Sequence, residues 1–109
     1  MADENTEMDK LLRAYKARMH IFHNSEDDNL KDILKSSMDE IKRMTGSDDI
    51  SIPGIRNLVL ERSRYVYNDA TEYFEDSFQS QIIGVSLVVS EKAGDFDEDN
   101  VQASDDLER

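Results

Sequence analysis

Cysteine is absent from this 109-residue chain. That excludes a disulfide scaffold, a thiolate zinc site and a cysteine nucleophile, and it suits a reducing, cytoplasmic environment. Long apolar runs are missing too: the longest falls far short of the roughly 20 residues that span a bilayer. The opening Met1-Ala2-Asp3-Glu4 is acidic where a secretory signal is basic and then apolar. A protein made in the cytoplasm, without a membrane role, is therefore expected. Basic residues are a minority, 13 against 25 acidic, for a formal net charge of −12. This balance disfavours a nucleic-acid reader that clasps phosphates through a basic patch.

Catalytic signatures are lacking as well. There is no Gly-x-Ser-x-Gly, no phosphate-cradling glycine loop and no His-Glu-x-x-His. Acids this abundant on helix exteriors ordinarily form a solvated face, and paired-carboxylate chemistry needs two of them converging in a cleft. Neither an enzyme nor a bound cofactor is expected. His20 and His23, followed by Asp27 and Asp28, have a spacing at which a metal site is conceivable. The plainer reading is two solvent-facing histidines near a helix end. Asp95-x-Asp97-x-Asp99 resembles the start of a calcium loop, but Asn100 replaces the glycine at the sixth position and Asp106 stands where the loop needs glutamate. No metal is expected at either place.

What is present is enough apolar content, 38% of residues, for one small core. The charge is uneven. Residues 91–109 hold eight acids against Lys92 and Arg109, half of the net excess, with few apolar side chains. Such a segment buries too little to offset its ordering entropy, so a disordered acidic tail is expected after a folded unit that ends near residue 90.

Within 1–90 the dominant period is helical. Met8, Leu11, Leu12, Tyr15, Met19 and Phe22 recur at steps of three and four. After a break at His23-Asn24, Ser25 offers an N-cap and Glu26, Asp27 and Asp28 a negatively charged first turn. The second stripe is Leu30, Ile33, Leu34, Met38, Ile41 and Met44, with Asp28–Lys31, Asp32–Lys35 and Asp39–Arg43 at ion-pair spacing and Gly46 as a C-cap. Pro53 suits the first turn of a third helix, whose stripe is Ile55, Leu58, Val59, Val66, Ala70, Tyr73 and Phe74. Arg62 is discordant: it lies on the line joining Val59 to Val66, so it snorkels, pairs with a carboxylate, or faces something outside the domain's own core. In the last segment Phe78, Ile82, Val85 and Val89 have helical spacing, while alternation and β-branching across Val85–Val89 favour a strand. The two readings stand level. The fold class expected is all-α, a small bundle of three to four amphipathic helices.

Tyr65, Tyr67, Tyr73, Phe74 and Phe78 place five of the eight aromatics within fourteen residues. The ordinary account is packing between the last two helices. Yet Tyr65 and Tyr67 flank Val66 at about 100° on either side, so at least one is expected to point away from the core. An exposed tyrosine beside Arg62 or Arg64 is typical of an assembly contact. Arg62, Arg64, Tyr65, Tyr67, Asn68 and Phe78 are accordingly the candidate interface residues.

The run Arg62-Ser63-Arg64-Tyr65-Val66-Tyr67-Asn68-Asp69-Ala70, followed by Tyr73-Phe74-Glu75-Asp76-Ser77-Phe78-Gln79-Ser80, resembles the head–tail connector (adaptor) proteins of long-tailed bacteriophages, in the branch from phages of low-GC Gram-positive bacteria. The resemblance covers roughly residues 8–90. It implies a helical protomer without cofactors that joins copies of itself, about a dozen, into a ring through a heterologous contact. Such a ring sits beneath the portal protein at the head–tail interface of the virion and extends the DNA channel. It meets a downstream connector or tail-completion protein on its other side. It also favours helix over strand for 78–90. An acidic duct fits this role, since like charge keeps passing DNA from adhering. An alternative from a different class is an acidic DNA mimic that inhibits a DNA-binding enzyme; half of the charge excess in a tail is a poor match for the dense folded acidic surface a mimic needs.

Overall fold

The structure is a computed structural model that describes the backbone of residues 6–101 and the side chains of 6–92. Four helices and no strand occur among the described residues: α1 (Glu7–Met19), α2 (Asp27–Thr45), α3 (Pro53–Tyr67) and α4 (Phe74–Val101), the last entered through a short 3-10 turn, Thr71–Tyr73. The helical reading of 78–90 holds, and the strand alternative does not.

Local chemistry sets the ends. Thr6 Oγ1 accepts from the Asp9 N–H at 3.2 Å and opens α1, a cap worth about 1 kcal/mol. His20, in the left-handed region at φ 60°, closes it. The Ile21 N–H returns to the Lys16 carbonyl there, at 2.9 Å. The chain turns before Phe22, so Phe22 is not the end of the α1 stripe as its spacing predicts but stands 83% exposed. Ser25 does not cap α2 either: Glu26 holds the cap position without a side-chain bond, and the Ser25 hydroxyl lies 2.8 Å from His23 Nδ1. Gly46, at φ 94°, ends α2 as expected, and Pro53 begins α3.

The core joins Leu11, Leu12 and Tyr15 of α1, Leu30, Leu34 and Ile41 of α2, Ile55, Leu58, Val59 and Leu60 of α3, and Phe74 of α4. Each such side chain contributes roughly 1.5–3 kcal/mol on burial. Helices α2 and α3 are central; α1 packs on both of them, α4 packs on both of them, and α1 and α4 do not touch among the described residues. Leu60 lies off the predicted α3 stripe because a helix packed against three others buries more than one face. Three expected surface pairs of α2 do not form at ion-pair distance: Arg43 instead pairs with Glu40 at 2.9 Å and Glu75 at 3.3 Å, and Lys31 with Asp9 at 3.7 Å. Those partners come largely from other helices, which within-helix spacing cannot reveal.

Helix α4 departs from helical geometry at Phe78 (φ −116°, ψ 16°) and then runs antiparallel to α3, with Gln81 meeting Asn57 and Val85 meeting Gly54. Phe78, Ile82, Val85 and Val89, the residues its spacing selects, are the ones it lays against the core. Its backbone continues to Val101, past the boundary expected near residue 90. The expected disordered acidic tail otherwise falls on side chains from 93 and residues 102–109, outside the described residues. The long helix makes the molecule a slab of 57 × 38 × 16 Å, with a radius of gyration of 16.9 Å against about 13 Å for a sphere-like chain of this length.

Two glycines predict opposite outcomes for the same substitution. A Cβ on Gly54 would sit 2.7 Å from Val85 Cγ2, whereas one on Gly84 meets nothing within 4 Å. In urea denaturation, Gly54→Ala should lower stability by roughly 1–2 kcal/mol, overpacking outweighing helix propensity. Gly84→Ala should raise it by about 0.5–1 kcal/mol.

Candidate functional site

Arg62, Arg64, Tyr65, Tyr67, Asn68 and Phe78 gather at the corner where α3 hands over to α4, but their side chains take separate partners. Arg62 is half-buried, and its Nη1 donates to the neutral Ser37 Oγ on α2 at 3.2 Å. The other half-buried cations, Lys16, Lys31 and Arg64, each have a carboxylate within 4 Å. Arg62 has none among the described residues. Of the alternatives its position raises, pairing with a carboxylate is therefore not what the protomer provides.

Arg64 is fully engaged. Its Nε and Nη2 donate to Glu61 Oε1 at 3.1 and 2.7 Å, and its guanidinium lies 5.4 Å from the centre of the Tyr65 ring. Arg18 of α1 donates to the other oxygen of Glu61 at 2.7 Å. Partial burial opposes ionisation of Glu61, but the hydrogen bonds and charges of Arg64 and Arg18 prevail and hold its carboxyl below the ordinary range. The same hydrogen bond raises Arg64 above its usual value. This fork ties α1 to α3.

The tyrosines depart from expectation. Neither points clear of the core: Tyr65 and Tyr67 are both half-buried and packed against it. Tyr65 meets Phe74 and Phe78 edge-on at 5.7 Å, and those two rings stack at 4.9 Å. Tyr67 donates to both Glu26 oxygens, at 3.1 and 3.0 Å, and the carboxylate pushes its hydroxyl pKa upward. The angular argument assumed one buried face, whereas the α1–α2 turn covers one side of α3's last turn and α4 the other. The tyrosine that does stand out is Tyr73, 60% exposed. Asn68 is exposed, its N–H closing α3 on the Arg64 carbonyl at 3.1 Å.

None of these groups forms a nucleophile–base pair. The buried Tyr15 hydroxyl donates to the Ser63 carbonyl at 2.6 Å; burial raises its pKa far above the usual value, so it stays protonated as a structural donor. His20 and His23 do not share a helical face, since α1 ends between them. No group of three His, Cys, Asp or Glu side chains gathers at metal-binding distance among the described residues, and no helix there is long and apolar enough to cross a membrane. The Asp95–Asp99 acids lie outside the described side chains.

The surface that sequence reading missed is the outer face of α4. From Ser77 to Ser90 the chain carries no charge, although 35% of all residues are charged. One face of this stretch is glued to the core. The other displays Ile83, Leu87 and Val88, 53%, 63% and 44% exposed. Beside Val88 an apolar groove of about 290 Å³ opens between α3 and α4, lined by Gly54, Asn57, Gln81, Gly84, Val85 and Val88. The signal available in the sequence was the fourteen-residue charge gap itself, since one buried helix face needs apolar residues only at steps of three and four and leaves the other positions free to carry charge. Compared with protein-family models, with curated proteins and with solved structures, the chain finds no match.

The Glu61 fork predicts a pH effect. A carboxyl depressed on folding contributes stability that is fully present above its unfolded pKa, about 4.3, and is lost as pH falls through the lower folded value. Urea midpoints of Glu61→Gln should therefore fall less steeply below pH 4.3 than those of the unaltered protein, with the variant already less stable at pH 7.

Proposed function

We propose that this protein is a structural protomer of the bacteriophage head–tail connector, forming a ring with copies of itself against the portal and extending the DNA channel toward the tail. The observation that carries the reading is the outer face of α4. A chain of net charge −12 leaves an uncharged, apolar helix face uncovered, and such a face fits the charge-depleted core of a protein–protein contact. The segment leading into it, Arg62–Ser80, is the one that resembles the connector proteins.

Two further features support it. Arg62 is a half-buried cation without a carboxylate among the described residues, as suits a group whose counter-charge comes from a neighbour. The acidic surface suits a duct that DNA traverses without adhering. A DNA mimic is supported less well, since it needs closely spaced acids over its folded surface and the middle of α4 has none. On this reading the protein needs neither cofactor nor catalytic residue. It works in the virion after synthesis in the host cytoplasm, with the portal and a downstream connector or tail-completion protein as partners.

Mixing the protein with the purified portal of its own virion and imaging by electron microscopy tests this. An added ring stacked coaxially on the portal is the expected result; portals that stay bare at saturating protein contradict it. Arg62→Glu should yield incomplete or absent rings in the same images, whereas complete rings would remove Arg62 from the interface.

A further inference from the structure

We infer that Phe22 of one protomer seats in the α3–α4 groove of the next, against Gly54, Gly84, Val85 and Val88. The inference rests on the self-assembly reading above and names its contact. Phe22 is the most exposed large apolar side chain of the described residues, held outside the bundle by the left-handed turn at His20. Among the described residues only His20 meets it within aromatic distance, edge-on at 6.4 Å. The groove is apolar and shallow, and nothing stands within 4 Å of the position a Gly84 Cβ would take, so a ring from outside can lie directly against the α4 backbone.

A second copy is the occupant because one chain carries both the exposed apolar knob and the apolar groove, and electrostatics restrict where two copies can meet. Two chains of net charge −12 repel each other wherever their acids face. Residues 19–25 and 77–90 carry no formal charge with histidine neutral, and they supply Phe22 and the groove respectively. A knob and a groove at different places on one protomer make a heterologous contact, the type a ring requires; an α4–α4 contact between identical faces would close as a dimer.

The absence of cysteine gives a clean test. His23→Cys, beside Phe22, and Gln81→Cys, on the rim of the groove, are both exposed and leave Phe22 and Gly84 in place. They are purified separately, checked by circular dichroism, mixed at high concentration and treated with a short bismaleimide. The expected result is a mixed crosslink several-fold above that of His23→Cys with Glu72→Cys, an exposed control, and above either variant alone. A ladder should appear when both cysteines are in one chain. A mixed yield no higher than the control overturns the inference, as does a Gln81→Cys homodimer that dominates. The portal-docking images separate this from the functional reading: rings on portals without the mixed crosslink refute the Phe22 contact alone, while bare portals refute the connector role.

Discussion

The close approach of α4 to the start of α3 is the contact on which the rest of the structure depends. Gly54 leaves no room for a side chain beneath Val85, so the two helices meet almost backbone to side chain. With Ile82 and Val89 on the same face, that contact fixes the rotation of α4 about its axis. Everything opposite, Ile83, Leu87 and Val88, is thereby turned outward. The exposed apolar face is not loose packing; it follows from satisfying the inner face with a helix that is apolar on both.

At the other end of α3, polar bonds do the equivalent job. The Tyr15 hydroxyl on the Ser63 carbonyl, the Arg18–Glu61–Arg64 fork and Tyr67 on Glu26 connect α1 and the turn into α2 to the last turns of α3. Each joins a charge or a buried polar group to a partner, which is worth most where water is partly excluded. Arg62 stands in the midst of this network yet takes only a serine hydroxyl. The contrast between the half-buried cations paired with carboxylates and Arg62 on a neutral acceptor parallels the contrast between the two faces of α4.

Much of this was legible in the sequence. The steps of three and four in Met8–Met19 and Leu30–Met44, the glycine at 46 and the proline at 53 give three helices and two of their ends, because periodicity and capping are local properties. The spacing of Phe78, Ile82, Val85 and Val89 gives the inner face of α4. Arg62 was visible as a charge on an apolar line. What stayed hidden depends on tertiary placement: Leu60 is buried because α3 has neighbours on three sides, Tyr65 and Tyr67 are both covered for the same reason, and Phe22 is exposed because His20 reverses the chain. The α4 outer face stayed hidden behind a period count that asks which residues face inward and does not ask why the remainder lack charge.

The account turns on the claim that the uncharged middle of α4 is covered only when copies assemble. Carbene footprinting read by mass spectrometry tests it most directly, on the free protein and on the protein bound to its portal. The account predicts that Ile83, Leu87 and Val88 label heavily in the free protein and lose that labelling in the assembly. Equal labelling of α4 in the two states would contradict it.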